Sequence, residues 1–449
     1  MSSAEVTKTL ARWAAETTSA QIPPHVRREG VRTFVNWLGC AVGGARHETV
    51  ERALQGLARF SGPPRATIIG RTERLDELHA ALINGISSHV LDFDDTHLKT
   101  IIHPAGPVAS AILAIAEGQD VSGADLLSAL IVGIEVECRI GNCVYPDHYD
   151  RGWHITGTAG VFGAAAAAGR LRGLDPRRMT YALGIAATQS SGLREMFGTM
   201  CKSFHPGRAA QNGATSAYLA EAGFDSSVRA IEAPRGFANV LSTKQDYSEI
   251  LDGLGARWES ALNTYKPFAC GIVIHPVIDG CSQIHRAEAP RADDIVSVDL
   301  RVHPLVLELT GKLTPRTGLE GKFSVYHSAA YALLHADGTP TAFTDEAVRD
   351  PEVIALRGRV NARAETGIRE ASAKITVTLK DGRRIERDIA YAVGSLERPL
   401  SDADIDEKFL RRASPILGER AATRLLAMAW ALDSEPSAAA IARAGAHHP

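Results

Sequence analysis

Apolar residues recur at three- and four-residue intervals through most of the first 260 positions, with alanine and glycine interleaved. PHVRREGVRTFVNWLGCAVGG, ELHAALINGISSHVLDF, AGPVASAILAIAEG, ADLLSALIVGIEVECRIGNCV and ITGTAGVFGAAAAAGRLRG all carry this period, with Gly or Pro breaking it between segments. The spacing predicts a bundle of many helices, whose small residues let the axes approach closely. Two entry signals stand out, Asp175–Pro176 ahead of RRMTYALGIAATQSSG and His205–Pro206 ahead of GRAAQNGATSAYLAEAG. RATIIGR at 65–71 is the strand-like exception.

The period changes near residue 265. DIVSVDLRVHP (294–304) alternates like a half-buried strand, and KITVTLKDGRRIERDIAYA (374–392) alternates on both sides of Asp381–Gly382, a hairpin signal. GKFSVYHSAAYALLHADG between them reads as a helix ending near Gly338, and the tail returns to helix with Ser401 as its cap. The predicted fold is mainly α: a large, discontinuous all-α helical domain (1–266 and 396–449) with a smaller α+β lid domain (267–395) inserted. There is no internal repeat or low-complexity tract.

A length of 449 residues suits two domains, and 45% hydrophobic with 22% charged residues is an ordinary globular balance. A formal charge of −3 gives no reason to expect nucleic acid or an anionic membrane as partner. The six cysteines form no C-x-x-C pair, which argues against a zinc ribbon or disulfide framework and for a reducing, cytoplasmic setting. MSSAEVTKTLARWAAETTSAQIP lacks the apolar block of a secretory signal, and no run is long enough to span a membrane.

The chemistry concentrates first in LDFDDTHLKTIIHP, residues 91–104, where Asp92, Asp94, Asp95, His97 and His103 fall within fourteen positions. Asp92-x-Asp94-x-Thr96 matches the D-x-D-x-T loop of aspartate-nucleophile phosphatases, but that loop must leave a buried parallel strand, and HAALINGISSHV before it reads as helix. The same residues could ligate a metal, yet they lack a paired-histidine register. A capping loop for a helix near Pro104–Gly106 explains some of the aspartates and leaves the His–Pro unexplained. Three other stretches share the texture: YDRGWHITGTAG with His154, FGTMCKSFHPGRAAQNG with Lys202, His205 and Arg208, and TYKPFACGIVIHP with Lys266 and His275. Cations and histidines thus gather at Gly/Pro-broken helix entries in a net-negative chain. Pooled, they predict a pocket for a small polycarboxylate.

DFDDTH…HP, GWHITGTAGVFGAAAAAGRLRGL, TMCKSFHPGRAAQNG, KPFACGIVIHP, EGKFSVYHSAAYAL and GSLERPLSDADIDEKF together resemble the MmgE/PrpD family, in order and along nearly the whole chain. That family includes 2-methylcitrate dehydratase, cis-aconitate decarboxylase and iminodisuccinate epimerase. The resemblance implies a helical domain with an α+β lid, a site in the cleft between them, a homodimer, and catalysis without metal or organic cofactor. Carried over by position, it implies Asp92, His103, His154, Lys202 and Lys266 as catalytic and Thr96 as substrate-binding, with His205, Arg208 and His275 added on the substrate side. The two histidines are expected to act as base and acid, Asp92 to orient one of them, and Asp94 and Asp95 to serve loop structure. Two positions depart: Gly271 stands where a catalytic histidine is expected, and Leu307 where a tyrosine is expected. These departures count against cis-aconitate decarboxylation. The expectation is therefore a cofactor-independent lyase acting beside a carboxylate, foremost a 2-methylcitrate dehydratase-like hydro-lyase. An epimerase of a substituted succinate, a decarboxylase, and a catalytically silent carboxylate-binding protein are the alternatives.

Overall fold

A computed structural model describes residues 5–447; the first four residues of the N-terminal stretch read above, and the last two of the chain, lie outside the described residues. The helices that position the site are α1 (Val6–Glu16), α2 (Pro24–Gly44), α3 (Glu77–Val90), α4 (Ala105–Ala116), α5 (Gly123–Val144), α6 (Ile155–Leu171), α7 (Pro176–Ala187) and α8 (Cys201–Glu221). Helices α4, α5 and α6 are buried along almost their whole length, because alanine and glycine occupy most inward turns. A Cβ at Gly85 of α3 would lie 2.5 Å from the Cα of Gly207 in α8, so these helices cross backbone to backbone. The fold is mainly α, as the period predicts. Among the described residues no helix is long and apolar enough to cross a membrane.

Two expectations at the element level are corrected. Helix α8 starts at Cys201, ahead of the expected entry, and Pro206 lies inside it. Proline has no N–H to offer the carbonyl of Lys202, so one intrahelical hydrogen bond is missing in the first turns. RATIIGR supplies only Ala66–Thr67, paired with Arg74–Leu75, while Ile68 and Ile69 are core residues outside any strand.

The stretch after α3 makes a short strand, β1 (Asp95–His97), which pairs antiparallel with β2 (Asn263–Tyr265). The register sets Asp95 opposite Tyr265 and places Lys266 directly after the strand, beside the aspartates. Beyond β2, helix α9 (His275–Glu288) and helix α10 (Val325–His335) accompany a four-stranded mixed sheet of β3 (Ile295–Val302), β4 (Val360–Ala364), β5 (Ala373–Leu379) and β6 (Arg384–Ile389). Its order is β4–β3–β5–β6, with β3 and β4 parallel and the other pairs antiparallel. Ala373, Ile375, Val377 and Leu379 of β5 are buried, as their alternation predicts, and a Cβ at Gly280 of α9 would meet Ile375 at 2.4 Å. The hairpin turns at Gly382, whose φ of +85° suits glycine.

The tail forms α11 (Asp402–Leu417) and α12 (Glu419–Trp430), and Ser401 caps α11 in a reciprocal box with Asp404. These helices return to α2, where Arg28 and Arg32 hold Asp402. Lys408 of α11 donates to Asn36 at 2.7 Å and to the carbonyl of Lys266 at 2.9 Å, tying the tail to the backbone of the site.

Candidate active site

Helix α3 ends at Val90, and the chain then turns sharply at Asp92, whose φ of +52° is a left-handed conformation uncommon for any residue but glycine. That turn sends the Asp92 carboxylate inward between two lysines. Lys266 Nζ pairs with Oδ1 of Asp92, and Lys202 Nζ lies 3.0 Å from Oδ2. Burial opposes the charge on Asp92, but Lys202 and then Lys266 outweigh it and hold the carboxyl well below the ordinary range. Lys202 is pushed down by burial more than its carboxylates restore, whereas Lys266, against burial, is raised by Asp92 and Asp94.

Asp94 does not serve the loop alone. Its Oδ2 lies 2.5 Å from Nδ1 of His89, and its Oδ1 lies 3.6 Å from His103 and 3.8 Å from Lys266. The other nitrogen of His89 lies 3.0 Å from Lys202 Nζ, so Asp94, His89 and Lys202 form one continuous chain of contacts. Asp95, by contrast, fulfils the capping expectation. It accepts from the Ala105 N–H at 3.0 Å, opening α4, and from Asn263 at 2.7 Å, and burial raises its carboxyl to about 7.

His103 and His154 complete the cluster. The Nδ1 of His103 lies 2.7 Å from the Asp95 carbonyl and 3.2 Å from the Thr96 hydroxyl, which fixes the ring. His154 precedes the first residue of α6 and pairs, Nδ1 to Nδ1 at 2.8 Å, with His205. Burial, joined by Lys266 for His103 and by His205 for His154, depresses both imidazoles well below 6.5, so both are neutral at pH 7. The Nδ1 of His103 donates to the Asp95 carbonyl, which leaves its Nε2 to accept a proton, while in the His154–His205 pair one Nδ1 donates to the other.

Asp92, His103, His154, Lys202 and Lys266 line one pocket, together with Phe197 and Phe323. Lys202 lies 5.5 Å over each of these rings. A smaller pocket bordered by His89, Asp92, Lys202 and Lys322 adjoins it. Lys322 is buried and donates to the carbonyls of Leu91 and Ala269, at 2.5 and 2.9 Å; burial lowers its ammonium to about 8. Three lysines therefore face two aspartates, leaving positive charge for an anion inside a low-dielectric space.

Other expected residues are placed elsewhere. Thr96 is buried in β1 and holds His103 without bordering the cavity. His205 acts on His154. Arg208 is exposed and donates to Gln211 at 2.5 Å. His275 starts α9, packs edge-on against Phe268 and borders a separate space. His97 turns away to Glu259 and Thr100. Asp92 orients the lysines and not, as expected, an imidazole. Sequence reasoning missed His89, Asp94 and Lys322. His89 sits in the last turn of the helix leading into the motif, and Lys322 in EGKFSVYH shares the glycine-broken texture of the other sites.

His89, His103 and His154 have ligand atoms within 4.8 Å of one another, close enough for a metal. Both nitrogens of His89 are already engaged, however, and Lys202 stands where a dication would be repelled.

The MmgE/PrpD N-terminal domain model matches residues 8–250, and the MmgE/PrpD C-terminal domain model matches residues 268–434. The chain belongs to the MmgE/PrpD family. Among similar family members, cis-aconitate decarboxylase of Aspergillus terreus is 26% identical over 443 residues, covering 92% of this chain and 90% of the relative. Cis-aconitate decarboxylase of Homo sapiens is 29% identical over 410 residues, covering 86% and 83%. The 2-methylcitrate dehydratase of Cupriavidus necator is 22% identical over 410 residues, covering 81% of each chain. At Gly271, where this chain departs from the expected histidine, a Cβ would lie 3.2 Å from Thr310, so the wall there is tight as well as unfunctionalised.

Proposed function

We propose that the protein is a lyase that breaks a bond beside a carboxylate of a small di- or tricarboxylic acid, using its own side chains. The observation carrying this reading is the buried Lys202–Asp92–Lys266 group, which shares one pocket with two neutral histidines. A carbon beside a carboxylate is too weak an acid for an imidazole alone. Fixed cations in a water-poor cavity lower that barrier by stabilising the charge as it develops.

In this reading Lys202 and Lys266 receive the substrate carboxylates, with Lys322 adding to the field. His103 and His154 move protons, Thr96 and His205 hold those rings, and Asp94 with His89 positions Lys202. Decarboxylation breaks the carbon–carboxylate bond, releases carbon dioxide and returns a proton to carbon from an imidazolium formed when the polyanion binds. Dehydration removes a carbon-bound proton to one imidazole and expels hydroxide, which leaves as water with a proton from the other imidazole, protonated when the polyanion binds.

The similarity favours the decarboxylase side over the hydro-lyase expectation, since the decarboxylases reach 26–29% identity and the dehydratase 22%. Gly271 then leaves proton return to His103 or His154. We further propose that the 267–395 segment closes over the helical part as a lid and that the chain works as a homodimer. A reducing, cytoplasmic setting fits its six free cysteines.

Incubating the protein with cis-aconitate and with 2-methylcitrate separates the reactions. Release of carbon dioxide from cis-aconitate is the expected outcome. Water loss from 2-methylcitrate without carbon dioxide release returns the hydro-lyase reading, and no turnover of either acid counts against both.

A further inference from the structure

A surface groove is lined by Arg286 of α9 and by Lys408, Arg411 and Arg412 of α11. Two carboxylates share it, and both are committed. Glu407 pairs with Arg411 at 2.6 Å, and Asp404 accepts from the N–H and hydroxyl of Ser401 as part of the α11 cap. Lys408 is spent on Asn36 and on the Lys266 carbonyl. Two guanidinium groups remain. Arg412 makes no hydrogen bond or ion pair among the described residues, although its Nε is buried. Arg286 is exposed, and its one hydrogen bond is a long one, 3.4 Å to the Ala336 carbonyl. The field of Asp337 reaches Arg412, but the oxygens of that carboxylate accept from Thr339 and Thr341. A buried guanidinium N–H without an acceptor is costly, so the groove is short of an anion.

We propose that this groove is a second anion site, separate from the lysine pocket, in which Arg412 and Arg286 hold a multivalent oxyanion, a phosphate group or a polycarboxylate. The planar fork of a guanidinium matches the paired oxygens of either group, and the ligand supplies the negative charge that Asp404 and Glu407 have already given elsewhere. This does not depend on the reaction proposed above. The groove nevertheless touches the site from behind: Phe93 and Pro267, which also line it, are the chain neighbours of Asp92 and Lys266. Lys408 joins the groove to the Lys266 carbonyl at 2.9 Å, so a bound anion reaches the backbone of the site through one side chain.

The test is calorimetric titration of pyrophosphate and of citrate into the full-length wild type and into Lys202→Ala, Arg412→Gln and Arg286→Gln. The expected result is a binding event that Lys202→Ala leaves within about twofold and that each arginine variant weakens at least about tenfold, the scale for losing one charge-assisted contact. Such an event with pyrophosphate assigns the groove to a phosphate group, and with citrate alone to a polycarboxylate. No binding of either anion by the wild type overturns the proposal. Binding that is lost in Lys202→Ala and kept in the arginine variants places the anion in the lysine pocket and overturns it too, as does binding that none of the substitutions changes. Arg286 is exposed, so Arg286→Gln decides alone if Arg412→Gln fails to fold.

Discussion

Asp92 and Asp94 are two residues apart and do different work, one between two lysines and the other on His89. Which of three neighbouring aspartates faces inward is set by the left-handed turn at Asp92 and by pairing with a strand far along the chain. Composition and spacing cannot reveal that, and for this reason Asp94 reads as a loop residue from sequence and Arg208 as a ligand. His154 and Lys202, at helix entries, and Lys266, directly after β2, are legible because Gly and Pro mark those breaks. Replacing Lys202 by Ala is expected to lower kcat/KM by about 10² to 10³, the scale for losing one fixed stabilising group. Arg208→Ala is expected to stay within about twofold, since its side chain is exposed and touches Gln211. Steady-state kinetics of the pair checks both, and an equal loss in the two variants would contradict the placement.

At the scale of elements, the site depends on how closely α3 and α8 cross. His89 rides on α3 and Lys202 on α8, and their 3.0 Å contact requires the glycine contact between Gly85 and Gly207. Gly85→Ala would set its Cβ against the backbone of residue 207 and force the helices apart. The expected outcome is destabilisation by about 1–3 kcal/mol, the usual scale for overpacking, with reduced turnover. Denaturant unfolding and kinetics on the same preparation check it; unchanged stability would mean that the helices can separate freely. The periods of the helices and of the β5–β6 hairpin were readable because burial enforces them. The early start of α8 was not, because its contacts with α3 and α6 override the local signal of Pro206.

For the whole molecule, burying neutral histidines makes folding depend on pH. His103 and His154 have folded values depressed below 6.5, so the unfolded chain binds more protons as the solution is acidified. Their contribution is complete above about pH 6.5 and is lost below it, by up to about 1.4 kcal/mol per pH unit for each ring. The melting temperature is expected to fall between pH 7 and 5.5, with a shallower slope in His154→Gln. A flat profile in the wild type would show that these rings are not buried neutral. The lysines make a further demand on the whole site: activity should survive exhaustive chelation, and a loss restored by a dication would place a metal among His89, His103 and His154.

The central claim is that the buried lysines and histidines perform chemistry on a bound polycarboxylate. Its most direct test is proton NMR in D₂O of cis-aconitate, citrate and succinate-type acids with the wild type and with His154→Ala. The account predicts turnover or deuterium exchange beside a carboxylate in at least one acid for the wild type, and a loss of at least about a hundredfold in the variant. Acids that bind but neither exchange nor react with the wild type, or near-normal turnover by His154→Ala, would contradict it.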